Sequence, residues 1–335
     1  MDILNALVAL LNFVVIPATA YGAQLALGAL GVTLIYGILR FSNFAHGDTM
    51  AFGTAMTILV TWALQAAGIT LGPLPTALLA LPFAIALTAG LVLATDRVVY
   101  DYYRRVRAAP VILVMVSVGV MFVMNGLTRF VIGVDEINFA DGARFVISAR
   151  GFREATGLAE PLTLRSSQLI TLITAALVVW ALFWFLGRTR TGKSMRAFSD
   201  NEDLALLSGI NPNRVVAVTW IIAAALATTA GTLYGLDKSF KAFNYFQLLL
   251  PIFAAAVVGG LGSPVGAIAG GFVIAFSEVG VTYAWKKVAG YLIPAWQPEG
   301  LLQLLSTEYK FAVSFAILII VLLFKPTGLF KGKAV

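Results

Sequence analysis

Residues 187–214, GRTRTGKSMRAFSDNEDLALLSGINPNR, form the longest strongly charged stretch of the chain whose pattern indicates ordered structure. Apolar runs flank this stretch on both sides, near residues 167–186 and 212–235. A membrane-spanning helix needs about 20 mainly apolar residues, and each run meets that length. The stretch therefore connects two predicted spans, and it decides how the chain is divided.

The inner half of this stretch predicts a short helix. Ser199 is followed three residues later by Glu202, which is the pattern of a capping box at a helix N-terminus. Gly209 predicts a left-handed stop, and Asn211 with Pro212 predicts the start of the next span. The apolar face of this helix of about two turns consists of Leu204, Ala205, Leu207 and Ile210. An apolar face outside lipid indicates docking with a partner protein.

Residues 187–194 also fit the pattern G-x-x-x-x-G-K-[ST] of a phosphate-binding loop. That motif needs a buried strand before it and a helix N-terminus after it. Here the preceding residues, LITAALVVWALFWFL, read as a membrane span, and RTRT replaces the small residues of such a loop. We therefore expect no nucleotide binding, and we interpret the basic residues as holding the end of a span on the cytoplasmic side.

The composition excludes a soluble globular protein. Of 335 residues, 60% are hydrophobic and only 12% are charged, and the mean hydropathy is +0.91. The fold class predicted is an all-α polytopic membrane protein that forms one transmembrane domain over residues 1–335. The net charge of +7 lies in short loops beside apolar runs, which indicates membrane orientation and not nucleic-acid binding. With no cysteine and one histidine, no metal site or cofactor is expected.

About ten spans, within a range of eight to ten, are predicted from apolar length. They lie near residues 3–20, 22–40, 49–68, 74–95, 109–132, 167–186, 212–235, 247–262, 264–284 and 305–324.

Charge predicts the orientation of these spans. Arginines near residues 97–107, the basic residues of 187–214, and Lys325, Lys331 and Lys333 mark the cytoplasmic side. The segment 133–165 is slightly acidic and is therefore expected outside. An even number of spans with the C-terminus inside predicts that the N-terminus is cytoplasmic as well.

Two apolar runs are broken by small and polar residues, at 36–48 and at 258–266. Interrupted spans indicate a permeation path, because backbone groups freed at membrane depth are tolerated only inside protein or along a wet cavity. The alternative is that one or both are ordinary polar loops. Corresponding interruptions also suggest a two-half internal repeat as a hypothesis. The candidate path residues are Tyr36, Ser42, Asn43, His46, Asp48, Gly259, Gly260 and Ser263.

Ionisable residues inside spans cost about 2.5 to 3.5 kcal/mol at the helix centre, so each is a functional candidate. Glu278 lies well inside a predicted span and is a further path candidate. The alternative for Glu278 is a hydrogen bond to a neighbouring helix or a partner subunit, and for Asn125 such interhelical bonding is favoured. Asp96 and Arg129 lie near span ends and are assigned no function. No nucleophile or acid–base pair stands out, so we do not expect an enzyme.

Four stretches carry a resemblance to a known family: GVTLIYGILRFSNFAHGD (31–48), GKSMRAFSDNEDLALLSGINPNRVVAVTWIIAAALATTAGTLYG (192–235), VVGGLGSPVGAIAGG (257–271) and FKPTGLF (324–330). In order and spacing they resemble the LivH-type permease subunit of bacterial branched-chain amino acid ABC importers. The resemblance implies an inner-membrane subunit that pairs with a LivM-type permease or with itself. It also implies two cytoplasmic ATPases, which use the ATP, and a periplasmic substrate-binding protein.

In this family the short cytoplasmic helix has the form of a coupling helix that docks on an ATPase. The docking residues that the resemblance implies are Arg196, Ser199, Glu202, Leu204, Ala205, Leu207, Gly209 and Ile210. The two interrupted segments would line a path that opens alternately to the two sides.

Departures from the family pattern leave the solute open. Ser42 and Asp48 stand where the family commonly has a bulky aliphatic residue and Glu, and the segment 285–304 is longer than usual. Other amino acids, urea or short amides are therefore alternative solutes. An ion-coupled secondary transporter is the alternative from another class, and it requires paired titratable groups within the membrane. This chain offers only Glu278 with His46 or Asp48 for that purpose.

Overall fold

The computed structural model describes residues 2–292 and 300–330. Lys331, Lys333 and part of the segment 285–304 lie outside the described residues, so the predictions that involve them stay predictions. The described chain is all-α apart from one small two-stranded sheet. This confirms the predicted fold class.

The helices in chain order are α1 (Asp2–Leu10), α2 (Ile16–Leu39), α3 (His46–Ala66), α4 (Ala77–Thr95), α5 (Asp101–Arg105), α6 (Pro110–Ile132), α7 (Ala149–Thr156), α8 (Ser166–Arg188), α9 (Arg190–Asp200), α10 (Glu202–Leu207), α11 (Pro212–Lys238), α12 (Ala242–Gly259), α13 (Pro264–Thr282), α14 (Lys286–Leu292) and α15 (Lys310–Phe324). Two π-helical segments (Leu11–Val15 and Asp96–Tyr100) and a 3₁₀ turn (Thr307–Tyr309) join some of them. The strands are β1 (Phe145–Ile147) and β2 (Leu164–Arg165), which pair antiparallel.

Nine helices within the described residues are long and apolar enough to cross a membrane. The difference from the ten predicted spans lies at the N-terminus, where 3–20 and 22–40 are one continuous helix of 38 residues. Nothing breaks the helix at Gly22. Its missing side chain instead gives room to α13, because a Cβ on Gly22 would lie 2.7 Å from Cδ1 of Phe272.

The ends of the spans fall into two groups that alternate along the chain. On one face, the backbone N–H of Glu160 donates to Asn5, and Gln65 donates to Asp141 at 2.8 Å. The nine candidate spans put the N-terminal helix beside the segment 133–165 and residues 325–330 at the opposite end of the bundle. The predicted side of the membrane for each terminus stays a prediction.

The first helix is longer than a bilayer. Its 38 residues extend about 57 Å, whereas the hydrocarbon core is about 30 Å thick. The excess is α1, which packs against α14 and forms a small separate cluster of buried residues with it. The N-terminal part of this helix is thus covered by protein on the face that holds 133–165.

The segment 133–165 is held to the spans through two carboxylates. Asp141 accepts hydrogen bonds from the Thr76 N–H at 2.7 Å and from Gln65. Glu160 accepts from Lys287 at 2.8 Å and from Tyr291 at 2.7 Å. Burial raises the pKa of each carboxyl, but these hydrogen bonds outweigh it and hold both pKa values below the ordinary range. Both groups are therefore ionised at neutral pH, and the segment is an ordered cap.

The core is built around α2, which is buried along most of its length and packs against α11, α12 and α13. Small residues make this close packing possible. A Cβ on Gly271 of α13 would lie 2.6 Å from the backbone nitrogen of Ala26 in α2. Across α3 and α11, the hydroxyls of Thr57 and Thr232 are 2.9 Å apart. Backbones that approach this closely leave no room for an added methyl group.

Replacement of Gly271 tests this packing. We expect Gly271→Ala to destabilise the protein by about 1 to 3 kcal/mol, because the methyl group must displace the backbone of α2. The measurement is the thermal unfolding midpoint in detergent. Gly280→Ala in the same helix is the control, since a Cβ there meets nothing within 4 Å. An unchanged midpoint for Gly271→Ala would contradict the packing described.

Candidate translocation path and coupling surface

The polar residues singled out by the sequence lie at three levels along α2. Glu278 shares a cavity with Tyr21, the ring of His46 packs directly on Gly31, and Gly262 lies beside Gly37. At the rise of an α-helix, the level of Tyr21 lies about 15 Å from that of Gly31, and the level of Gly31 lies about 9 Å from that of Gly37. The structure therefore does not bring the predicted path residues into one site, but it arranges them along one buried helix.

The segment 36–48 is an interruption inside the protein. Helix α2 ends at Leu39, Arg40 adopts a left-handed conformation with φ of 56°, and α3 begins at His46. Residues 41–45 between them are non-helical and buried or partly buried. The alternative of an ordinary exposed loop is therefore wrong for this segment, which we call the buried connection (residues 41–45).

Protein groups pair the backbone N–H groups at the C-terminal end of the buried connection. The Phe44 N–H donates to Oγ of Ser117 at 3.1 Å, and the Ala45 N–H donates to Oδ1 of Asn43 at 3.1 Å. The His46 N–H donates to the carbonyl of Asn43 at 3.3 Å. Unpaired backbone groups at this depth would cost several kcal/mol each. Asn43 and Ser117 thus make a non-helical segment tolerable between membrane helices.

Aromatic residues hold Asn43 in place. The hydroxyl of Tyr100 donates to Asn43 Oδ1 at 3.3 Å, and the Tyr100 ring stacks on Trp220 with centroids 5.2 Å apart. Nε1 of Trp220 donates to Asp96 at 2.7 Å, and Arg104 also pairs with Asp96. Asp96 was assigned no function from the sequence because it lies near a span end. Its spacing of eight residues from Arg104, two helical turns, was the signal that could have indicated a pair.

His46 and Asp48 are both buried, but their side chains contact different helices. His46 is packed against α2, and its Nε2 has no hydrogen-bond partner among the described residues. Asp48, which is 0% exposed, accepts a hydrogen bond on Oδ1 from Asn125 of α6 at 2.6 Å. This confirms the interhelical role favoured for Asn125. The second carboxylate oxygen of Asp48 has no partner within the described chain.

Tyr36 and Ser42 contribute backbone groups to this region. The carbonyl of Tyr36 accepts the N–H of Arg40 at 3.0 Å, which ends α2. The carbonyl of Ser42 accepts the hydroxyl of Ser117 at 3.5 Å. Both side chains are partly buried. Tyr36 precedes the buried connection and Ser42 lies within it, and a role along a path stays a prediction for both.

The segment 258–266 is a tight turn between two spans. Gly260 and Gly262 have φ values of 110° and 85°, and Ser263 caps α13 by accepting the Gly266 N–H at 3.1 Å. The chain end closes the turn, because the Leu329 N–H donates to the carbonyl of Val258 at 2.8 Å. The structure thus favours the alternative of an ordinary connection here. The predicted path roles of Gly259, Gly260 and Ser263, and the two-half repeat, stay predictions.

Glu278 lies near the opposite face, with 1% of its surface exposed. One of its carboxylate oxygens accepts the hydroxyl of Ser314 of α15. The predicted alternative, a hydrogen bond to a neighbouring helix, is therefore confirmed for that oxygen. The other oxygen has no partner among the described residues and belongs to a side chain that lines a cavity of about 280 Å³. Tyr21 and Lys310, which the sequence did not single out, line the same cavity.

The charged stretch 187–214 forms two helices rather than one. Thr189 caps α9 by accepting the Gly192 N–H at 3.0 Å, and Met195 and Phe198 of α9 are buried. The predicted N-cap at Ser199 is wrong, because this burial extends α9 through Ser199.

Asn201 caps α10 in its place, with its side chain accepting the Leu204 N–H at 3.0 Å. The predicted stop at Gly209 (φ of 79°) is confirmed. So is the predicted helix start at Asn211 and Pro212.

The predicted apolar face of α10 is divided by the fold. Leu204 and Leu207 are 61% and 85% exposed, whereas Ala205 is buried and Ile210 packs against the core. The prediction that Ala205 and Ile210 belong to a free surface is therefore wrong, because both side chains pack toward the core. We call Leu204 and Leu207 the leucine pair. Of the other predicted docking residues, Arg196, Glu202 and Gly209 are exposed, and Ser199 is partly buried.

The residues that fit the phosphate-loop pattern do not form such a loop. Gly187 and Arg188 end α8, and α9 begins two residues later. Gly192 packs against the backbone at Phe185, which leaves no cradle for an anion. The geometry agrees with the expectation that this match is coincidental.

Arg40 connects the two helices α9 and α10 to the buried connection. Its Nη2 donates to the carbonyl of Ser199 at 2.5 Å, at the C-terminal end of α9. Arg40 immediately precedes Phe41, the first residue of the buried connection, which is itself fully buried. The sequence did not indicate this role. A displacement of α9 and α10 would reach the buried connection through this side chain.

Comparisons with known proteins agree with this architecture. The sequence profile of the family described as "Branched-chain amino acid transport system / permease component" matches residues 15–322. The chain is 32% identical to the high-affinity branched-chain amino acid transport system permease protein LivH of Escherichia coli K12, over 92% of this chain and 91% of that protein. It is 29% identical to the corresponding protein BraD of Pseudomonas aeruginosa, over 92% of each.

A weaker likeness extends to a second type of permease. The chain is 28% identical to the permease protein LivM of Escherichia coli K12 over 149 residues, which is 42% of this chain and 35% of that protein. No solved structure matches this chain.

The pair of Asp48 and Asn125 can be tested directly. We expect Asn125→Leu to destabilise the protein by about 1 to 3 kcal/mol, because it leaves a buried carboxylate oxygen without a donor. Adding Asp48→Asn should recover part of that loss by removing the buried charge. The measurement is thermal unfolding in detergent for the two single variants and the double variant. Strictly additive losses would contradict the pairing.

Proposed function

The chain belongs to the family of branched-chain amino acid transport permease components, and on this premise we propose that it imports branched-chain amino acids across a bacterial inner membrane. It is the membrane-spanning permease subunit of an ABC importer. The family is a transport family and not an enzyme class. In this proposal the chain itself binds no nucleotide, and partner subunits supply the energy of ATP hydrolysis.

The observation that carries the proposal is the leucine pair. These two large apolar side chains stand 61% and 85% exposed on a short helix outside the spans, where lipid does not cover them. Exposed leucines rimmed by Arg196 and Glu202 have the character of a protein-docking surface. We assign this surface to a cytoplasmic ATPase, with one ATPase under each of two permease subunits.

The same proposal sets the orientation. The basic residues of 187–214 lie on the face that also holds the C-terminal residues 325–330, and positive charge marks the cytoplasmic side. The N-terminus and the capped segment 133–165 then face the periplasm, where a binding protein delivers the amino acid. This orientation differs from the cytoplasmic N-terminus expected from ten spans.

We assign a related permease as the partner. The likeness to both LivH and LivM supports two similar subunits side by side, although a second copy of this chain would satisfy the same geometry. Helix α6 supports a broad contact of this kind, since Phe122, Val123 and Phe130 expose 68%, 69% and 88% of their surfaces. Lipid or a partner subunit must cover that face.

Coupling runs from the leucine pair to the path. Movement of an ATPase shifts α10 and α9, and Arg40 passes the shift to the buried connection through its bond to Ser199. The buried connection then changes its packing beside Asn43, His46 and Asp48, and the path opens to one side or the other. The carboxylates of Asp48 in α3 and Glu278 in α13 lie beside different levels of α2, so they do not pair with each other.

A double variant of the leucine pair tests the proposal. We expect Leu204→Glu/Leu207→Glu to abolish ATP-driven leucine uptake and to release the ATPase subunits during affinity purification, because two carboxylates would lie in the docking surface. Membrane insertion should remain normal, since both side chains are exposed. The measurements are leucine uptake in proteoliposomes and the amount of ATPase that co-purifies.

The matched control lies on the opposite face. Leu301 and Leu304 have the same spacing and are 62% and 77% exposed. Leu301→Glu/Leu304→Glu should leave ATPase co-purification unchanged. Full uptake and full ATPase retention in the variant of the leucine pair would refute the proposed docking surface.

A further inference from the structure

A cavity near the periplasmic face contains polar groups that the fold itself does not pair. It has a volume of about 280 Å³, and it lies between α2, α11, α13 and the start of α15. Glu278 is 1% exposed there, and its Oε2 has no hydrogen-bond partner within the described chain. The same holds for the hydroxyl of Tyr21. Leaving such groups unpaired in a protein interior is costly, so both are built to meet a donor.

Two lysines line the same cavity as Glu278. The Nζ atom of Lys310 lies 5.7 Å from the centre of the Tyr21 ring, and among the described residues it forms no ion pair. Lys238 also lines the cavity, and its ammonium is 3.5 Å from the carboxylate of its neighbour Asp237. The polar lining of the cavity therefore contains one carboxylate, Glu278, and two ammonium groups, Lys238 and Lys310.

The rest of the lining combines apolar residues with Tyr234, Thr282, Tyr283 and Thr307. The apolar residues are Phe13, Pro17 and Val279, and the Phe13 ring is stacked with Tyr283 at 6.3 Å between centroids. The cavity thus combines an anion, a cation and apolar residues in a volume large enough for one small molecule. These are the three contacts that a hydrophobic amino acid in its zwitterionic form requires.

We propose that this cavity binds the transported amino acid in transit. Its ammonium group donates to Glu278 Oε2 and meets the Tyr21 hydroxyl, its carboxylate lies against Lys310 and Lys238, and its branched side chain packs on Phe13, Pro17 and Val279. This inference rests on the proposed function, because it takes the cargo of the transporter as the ligand. The headgroup of phosphatidylethanolamine carries the same pair of charges and is the other source of this chemistry.

The test uses the assembled transporter without its binding protein, in nanodiscs of phosphatidylcholine and phosphatidylglycerol, which lack a primary ammonium. Radiolabelled leucine is the probe, and equilibrium binding is the measurement. We expect saturable binding that weakens at least tenfold in Glu278→Gln and in Lys310→Gln. Isopentylamine and 4-methylpentanoate, which each carry one of the two charges, should compete at least tenfold more weakly than leucine.

Matched controls remove the same charges elsewhere on this face. Glu154 and Lys286 are exposed and do not line the cavity. Glu154→Gln and Lys286→Gln should bind leucine as the parent protein does. Glu278→Gln retains an amide oxygen for Ser314, and if it nevertheless fails to fold, Lys310→Gln carries the test alone. Equal leucine binding in parent and Lys310→Gln proteins, or no saturable binding by the parent, overturns the proposal.

A second arm separates the two sources. Leucine binding that weakens in nanodiscs containing phosphatidylethanolamine supports the zwitterion chemistry, because the headgroup then competes for the cavity. Lipid that co-purifies with the parent but not with Glu278→Gln, in the absence of leucine binding, overturns the assignment to the cargo. ATP-driven uptake is measured on the same preparations. Uptake that persists without leucine binding refutes this inference alone, whereas leucine binding without any ATP-driven uptake refutes the proposed function alone.

Discussion

The structure depends on one constraint, which is that every backbone hydrogen-bonding group at membrane depth must find a partner inside the protein. Helices meet this constraint by themselves, but the buried connection between α2 and α3 does not. It is non-helical, and the N–H groups of Phe44 and Ala45 are paired by Ser117 and by Asn43. The aromatic residues Tyr100 and Trp220 and the carboxylate of Asp96 then fix Asn43. A break in the helical bundle thus recruits side chains from three other helical segments.

Side chains hold the buried connection, and a regular series of backbone hydrogen bonds does not. It is therefore the part of the bundle in which hydrogen-bond partners can be exchanged. Its N-terminal neighbour Arg40 is bonded to the end of α9, which directly precedes α10 with the leucine pair. Its C-terminal neighbours His46 and Asp48 are buried among α2 and α6. The cap formed by residues 133–165 is fixed differently, by ionised carboxylates at Asp141 and Glu160. The face with residues 133–165 is therefore held by hydrogen bonds within the chain, whereas the opposite face is linked to the proposed partner-binding surface.

Local signals in the sequence predicted local structure well. Gly209 ends its helix because a left-handed residue is needed there, and Asn211 with Pro212 starts the next one. Ser199 failed as a cap because Asn201 is equally capable, and the burial of Met195 and Phe198 decided between them. The first span was divided wrongly because nothing in the sequence near Gly22 shows whether a helix continues. Contacts between distant residues, such as Asp48 with Asn125 or Asn43 with Tyr100, could not be inferred from one sequence.

The central claim is that ATPase movement reaches the buried connection through α9, α10 and Arg40. The chain has no cysteine, so Ser42→Cys introduces a single reactive thiol within the buried connection. The measurement is its rate of reaction with a water-soluble maleimide in the assembled transporter, without nucleotide and with ATP trapped by vanadate. We expect a several-fold difference between the two states, and we expect Leu204→Glu/Leu207→Glu to remove it. Equal rates in both states of the parent transporter would contradict the claim.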